Sequence, residues 1–359
     1  MIPRPDLTHI PPAVREYIEA LEAEVERLGG KASSRPKPRP AVNFTAPEEE
    51  EVPPLPPLAP DEPPTTVNLI SMTGNGLAKR TLRHLYGRQR RGGMGIFDLD
   101  APADDPVALL TLAESSQSLL LFTNLARTFR LPVNLIPEEA VRARGQLITA
   151  KMTLQEGEHF VAALPDEARG AIALVSQEGF VRYLRHHVFG EYMKPGAAMF
   201  DARKCGELAS VCRTPGDAEL LIVTRRGKGI RFSEKLVPPQ GGPGIRLETG
   251  DTATAIVSVD EDSRVFLGDA EGRGTIRLMA GFAANKAAGG GGKAIMNSDC
   301  LISAATVEEG GEIFLISRLS KIIRFMADET PAKESTVQGV NCMMLRSDEV
   351  RALLTTVVV

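Results

Sequence analysis

Apolar positions keep one period near the N-terminus of this chain and another, repeated, over most of its length. Between Pro11 and Gly30 they fall at Val14, Ile18, Leu21, Val25 and Leu28, in alternating steps of four and three. This is heptad spacing on strong helix formers, bounded by prolines before and Gly29–Gly30 after, and it predicts a helix of roughly five turns with a narrow apolar seam. Such a seam predicts a short coiled coil, and so a homo-oligomer formed through residues 1–30. A lone amphipathic helix is the plainer alternative, because two heptads are marginal in water.

From Lys31 to Thr65 the periodicity disappears. Prolines crowd the segment and Glu48, Glu49, Glu50 and Glu51 form an acidic run. Residues 31–65 therefore read as an extended, disordered, solvated linker. Near a cationic surface its carboxylates would compete for that surface, and simple solubility is the blander reading.

From Val67 onward the chain repeats itself six times at about 50 residues, each unit opening with an apolar strand that ends in a small polar residue. These are VNLISMT at 67–73, SLLLFT at 118–123, AIALVS at 171–176, ELLIVT at 219–224, RVFLGD at 264–269 and EIFLIS at 312–317. A second strand follows with a basic residue among apolar ones, at Lys79, Arg130, Arg182, Arg231, Arg277 and Arg324. Their spacings of 51, 52, 49, 46 and 47 are matched by glycines at Gly95, Gly145, Gly196, Gly244, Gly292 and Gly339. A further apolar strand closes each unit, as in PVALLTL at 106–112 and TATAIVSV at 252–259.

Units of this length with several short strands and Gly-rich turns predict an all-β fold of radial blades over residues 66–359. Strand alternation predicts that each basic residue points away from its apolar neighbours, so six cations should recur at equivalent outer positions. They would then trace a path for a polyanion. A solubilising, ion-paired surface residue copied with the unit is the alternative.

Composition changes this picture in one respect. The formal net charge of −4 argues against a nucleic-acid partner, but residues 1–66 hold 7 basic and 12 acidic residues, which leaves 35 basic and 34 acidic in the remainder. The acidity belongs largely to the N-terminal segment. Cys205, Cys212, Cys300 and Cys342 have no spacing that builds a zinc site, so reduced thiols, no metal and no cofactor are expected. No run approaches the ~18 apolar residues of a membrane helix and no signal core is present, so a soluble cytoplasmic protein without a membrane partner is expected.

One motif is specific. The stretch Gln89-Arg90-Arg91-Gly92-Gly93-Met94-Gly95, with its lead-in GLAKRTLRHLYGR, resembles the box of the DNA gyrase A C-terminal domain family: Gln, two basic residues, Gly-Gly, a basic residue and Gly. Six of its seven positions agree, and Met94 stands at the third basic place. The resemblance extends over Val67 to Val359 and implies a six-bladed β-pinwheel that binds and wraps double-stranded DNA in the cytoplasm, at the nucleoid. It also implies gyrase or other topoisomerase subunits as partners. In that family the intact box marks gyrase, which wraps DNA to introduce negative supercoils, whereas related topoisomerase IV domains carry degraded boxes.

Physical chemistry gives the box a matching task, because glycines allow close backbone approach to phosphates and arginines bind them by charge-assisted hydrogen bonds. Leu77 to Gly95 holds six Lys or Arg, including Lys79, Arg80 and Arg88, and no carboxylate. The equivalent segments RARGQ, MKPG, QGGPG, AAGGGGK and VQG keep glycine and lose most of the charge. The DNA contacts expected are Gln89, Arg90, Arg91, Gly92, Gly93, Gly95, Lys79, Arg80, Arg88 and the five repeat arginines.

No catalytic residue is expected. The N-terminal portion reads as too short to hold a breakage-reunion region, and Tyr17 lies in the heptad helix, so no topoisomerase activity is expected of this polypeptide alone. Gly289 to Lys293 imitates a phosphate loop, but Ala287 and Ala294 stand where that loop needs Gly and Ser or Thr. The competing function is a protein-interaction scaffold with little DNA binding. A continuous positive rim favours DNA, and a rim broken by carboxylates or an exposed apolar patch favours the scaffold.

Overall fold

The computed structural model describes residues 14–15, 18–23, 58 and 60–356, and the chain divides into two compact units, Met1–Glu51 and Val52–Val359. In the first, residues 14–15 and 18–23 are helical, with Val14 and Leu21 each 47% exposed, while Val25 and Leu28 lie outside the described residues. Most of the expected linker also lies outside them.

The second unit is a ring of six antiparallel blades. Blade 1 pairs Val107–Glu114, Val67–Thr73 and Leu77–Leu82 in that order, and blade 6 pairs Val350–Thr355, Glu312–Ser317 and Lys321–Met326 in the same way. The closing strand of each repeat lies innermost. These six strands touch their neighbours in cyclic order and line a central channel of about 540 Å³.

Two-residue outer strands from a different repeat finish each blade, one in every blade but the fifth, which carries Ala332–Lys333 in parallel and Val340–Asn341 antiparallel, both from repeat 6. Gln146–Leu147 of repeat 2 pairs with Leu77–Leu82 of blade 1, Ala197–Ala198 of repeat 3 with blade 2, and so on around the ring. Ile96–Phe97 of repeat 1 pairs with Lys321–Met326 and closes the circle. Each repeat thus completes the blade before it, which is the strand exchange of a pinwheel.

Six hydrophobic clusters hold the ring, one between each pair of consecutive blades. Ile70 and Met72 meet Leu119, Leu121 and Phe129 between blades 1 and 2, while Leu69 and Val107 meet Phe314 and Ile316 between blades 6 and 1. Neighbouring residues Leu69 and Ile70 therefore serve opposite interfaces. This explains why the opening strands are apolar without alternation: both faces of every sheet are buried.

The recurring glycines answer to the exchange. Gly95, Gly145 and Gly339 have φ of 71°, 70° and 83° and immediately precede an exchanged strand. A Cβ on Gly95 would lie 2.7 Å from the Ile322 carbonyl oxygen. Gly95→Ala is expected to cost at least about 1–2 kcal/mol from the left-handed backbone alone, with the clash in addition. Thermal unfolding measures it, and a melting temperature equal to wild type would refute this account.

Candidate nucleic-acid interface

The six repeat cations are not an outer ring. Their side chains are buried or half-buried, and strand register shows that they do not share one position. Opposite the third residue from the start of the opening-strand pairing stand Arg80, Arg130, Tyr183, Arg231, Ile276 and Arg324, paired with Ile70, Leu120, Ala173, Leu221, Phe266 and Phe314. Lys79 and Arg182 lie one residue before this register and Arg277 one residue after it. The true equivalent in blade 1 is Arg80. The expectation of an outward cation fails because the face opposite the apolar neighbours is covered by the next blade.

On that covered face the arginines join blades. A short 3-10 turn follows the second strand of each repeat; one of its carbonyls accepts from the capping residue, as Arg83 O does from Tyr86 N at 3.1 Å, and the others are left for partners outside the turn. Arg80 Nε donates to the Ile136 carbonyl at 3.0 Å in repeat 2, and Arg130 reaches the Phe189 carbonyl in repeat 3. Arg231 Nη1 donates to the Met279 and Phe282 carbonyls at 2.8 and 3.1 Å in repeat 5. Arg324 Nη1 donates to the Arg83 and Tyr86 carbonyls, both at 3.0 Å, and so fastens blade 6 to blade 1.

Carboxylates complete these sites. Arg231 pairs with Glu219 and with Glu261, and Arg324 lies 2.6 Å from both Glu312 and Glu62. Arg130 pairs with Asp166, which also holds His186 at 2.8 Å. The fully buried Lys79 ammonium lies 2.6 Å from Asp98 and 2.8 Å from the Ala140 carbonyl. Tyr86 donates its hydroxyl to Asp98 at 2.7 Å; burial first, and the Asp98 charge second, push its pKa well above the ordinary value. Arg182 donates to the Met199 carbonyl. Arg277, 5% exposed, donates to the Gly281 carbonyl at 3.1 Å, and burial pushes its pKa down.

The box itself lies at the ring closure, leading into the strand that pairs with blade 6. Gln89 N donates to the Arg324 carbonyl at 2.8 Å, and Gly92 N, at φ 77°, to the Cys342 carbonyl at 2.7 Å. Arg91 donates from its backbone to Glu329 at 3.0 Å, and from its guanidinium to the Glu329 and Asn341 carbonyls at 2.6 and 3.1 Å. Arg88 Nε lies 2.6 Å from Glu312. Gly93 keeps its N–H on the Arg90 carbonyl at 3.2 Å, and Arg90 is half-buried. Much of the box's hydrogen-bonding capacity thus secures the closure.

Cations left out of the expected contact set are more open. The segments that lead into the exchanged strands in later blades carry exposed Arg142 and Arg144 in repeat 2, Lys194 in repeat 3 and Lys286 in repeat 5, and Lys293 opens the exchanged strand itself. These segments occupy the place of the box, and their lower charge density hides them in the sequence. Met94, at the third basic place, is 48% exposed, and Phe97 and Met344 beside the closure are 52% and 44% exposed. Residues 60–65, expected to be linker, are seated on the blade: Asp61 accepts from Arg88 N at 3.1 Å, and Thr65 N donates to His84 at 3.2 Å.

Among the described residues no group of His, Cys, Asp or Glu is placed to hold a metal ion, and no helix is long and apolar enough to cross a membrane.

Comparison with known proteins gives a consistent picture. The family described as DNA gyrase C-terminal domain, beta-propeller, matches residues 68–108, 117–165 and 218–260, which fall in repeats 1, 2 and 4. The DNA gyrase A protein of Pseudomonas aeruginosa is 26% identical over 336 aligned positions, covering 79% of this chain and 36% of that protein. The chain thus spans about a third of that relative's length. Among solved structures, a DNA gyrase A C-terminal domain superposes with a TM-score of 0.69 at 18% identity, covering 80% of this chain and 98% of that one. The C-terminal domain of a DNA topoisomerase IV superposes with a TM-score of 0.59 at 19% identity, covering 80% and 93%. Exchanged outer strands, six blades, a box at the closure and these similarities agree: the chain has the fold of the DNA gyrase A C-terminal domain and resembles that family in three of its repeats.

Proposed function

We propose that this chain binds double-stranded DNA through its phosphates, without sequence preference, and bends or wraps it along the rim. It would act with gyrase or another topoisomerase, or as a DNA-topology accessory at the nucleoid in the cytoplasm. The observation that carries this reading is the recurrence of cations on one kind of segment: Arg90 and Arg91 in the box, then exposed Arg142, Arg144, Lys194 and Lys286 ahead of the exchanged strands and Lys293 at the start of one. Phosphate contacts of this kind position a duplex and carry no sequence information. Bending costs on the order of 1–6 kcal/mol for 40–90° over 20–30 base pairs, so contacts must continue along the path to offset it. The proposed role is non-catalytic.

A second reading has support of its own. At the closure Met94, Phe97 and Met344 are half-exposed, which suits a protein-interaction scaffold. Relaxed plasmid decides between the two. The chain is titrated at several salt concentrations, DNA is closed by a separate topoisomerase, and wild type is compared with Arg90→Ala/Arg91→Ala and with Met94→Arg. With about six phosphates neutralised, log affinity falls with log salt at a slope near −5. A fixed-sign linking change that the double variant loses and Met94→Arg enlarges is the expected result. Absence of binding at low salt would leave the scaffold.

A further inference from the structure

Glu62 precedes the first blade by a few residues, yet its side chain is only 11% exposed. Its carboxylate accepts from Arg83 Nε at 3.1 Å to each oxygen, and from Arg83 Nη2, and it also lies 2.6 Å from Arg324 Nη2. One residue earlier, Asp61 accepts from the backbone N–H of Arg88, and the Pro60 carbonyl accepts from the Arg88 guanidinium. Three guanidiniums, those of Arg83, Arg88 and Arg324, therefore converge on the stretch between the first 3-10 turn and the box, and they share the carboxylates of Glu62 and Glu312.

The geometry around Glu62 has the character of an oxyanion seat. Two arginines grip one planar anion, Arg83 in a bidentate fork, as guanidinium groups grip phosphate. Burial pushes the Glu62 carboxyl up, but its hydrogen bonds to Arg83 and Arg324 and their charges outweigh this and hold it below its ordinary value. The carboxylate therefore stays charged at neutral pH. Nothing in the ring requires the anion to be Glu62: Arg324 keeps Glu312 and two carbonyls without it. Arg83, by contrast, has Glu62 as its ion-pair partner.

We propose that Arg83, with Arg88 and Arg324 behind it, forms a phosphate seat adjoining the box, that Glu62 occupies this seat in the free protein, and that a DNA phosphate displaces it. Residues 60–65 are then a tethered competitor. A tethered group acts at a high effective concentration, in the millimolar range for short links, so it sets a threshold that only a polyanion with several simultaneous contacts passes. This rests on the DNA-binding reading above, and its test separates the two.

The experiment measures affinity for a duplex of about 40 base pairs by fluorescence anisotropy across a salt series. It compares wild type, Asp61→Asn/Glu62→Gln, that double variant with Arg83→Gln added, and Asp262→Asn/Glu309→Gln, which makes the same charge change on exposed loops elsewhere. Unmasking the seat should raise affinity about tenfold at low salt and steepen the salt slope by about one, the share of one phosphate on duplex DNA. Adding Arg83→Gln should abolish both gains, and the loop control should show neither. Melting curves verify that each variant is folded. If wild type binds and Asp61→Asn/Glu62→Gln matches either it or the loop control, the seat is refuted and DNA binding stands. If neither wild type nor the unmasked variant binds, both readings fall.

Discussion

Arg324→Ala should lower the melting temperature of the ring by on the order of 10 °C. The guanidinium is 2% exposed, is hydrogen-bonded to two carbonyls of the following blade, and is paired with two carboxylates. Removing it leaves Glu312, 5% exposed, with the half-buried Arg88 as its remaining ionic partner among the described residues, takes the side-chain donor from the Tyr86 carbonyl, and leaves the Arg83 carbonyl with the Tyr86 N–H alone. Breaking a buried pair in this way costs about 3–5 kcal/mol, and a large domain loses about 2–4 °C per kcal/mol. The Phe314 ring, 5.3 Å below the guanidinium, loses its cation as well. Differential scanning calorimetry gives the answer, and a shift below about 2 °C would contradict the assignment of Arg324 as a blade-to-blade fastener. Replacing Arg324 and Glu312 together by Met and Leu should recover part of the loss, since the buried Glu312 carboxylate then goes with its partner, while Arg88 keeps the Pro60 carbonyl and Glu62 keeps Arg83.

Arg142→Ala/Arg144→Ala should do the reverse: leave the melting temperature unchanged and weaken DNA binding. Both side chains are exposed and stand in the second repeat at the place of the box. Losing two phosphate contacts makes the slope of log affinity against log salt shallower by about 1.8. If wild type makes six such contacts, the penalty is about tenfold greater at 50 mM than at 200 mM salt, a pattern that misfolding would not produce. An unchanged slope would remove these two residues from the DNA path and with them the continuity of the proposed rim.

These opposed outcomes mark where the sequence was readable. The six opening strands, from Val67–Thr73 to Glu312–Ser317, lie where their apolar runs predict, because burial on both faces leaves a plain compositional trace. The box too was legible, since Gln89 to Gly95 is dense in charge and glycine. The repeat arginines misled for a physical reason. A polar residue in an apolar strand marks the solvent face only if the sheet has one, and in a ring of blades it does not. The exchanged strands, two residues long, and the 3-10 turns have no periodic signature, so the partners of Arg80, Arg231 and Arg324 stayed out of sight. Arg277 shows the converse: shifted by one residue from the shared register, it keeps the spacing of the others but donates within its own repeat, to Gly281.

The exchange of outer strands has a consequence in the order of synthesis. Ile96–Phe97 leaves the ribosome with the first repeat but finds its partner, Lys321–Met326, only when the sixth repeat has been made. Until then the first repeat carries a strand with unpaired N–H and C=O groups, and the last-made hairpin has a bare edge waiting for it. Contacts so distant in sequence form slowly, and open strand edges recruit other chains. A nascent chain halted after the fifth repeat should therefore not be a smaller ring but a sticky arc, competent to borrow its missing strand from a neighbour.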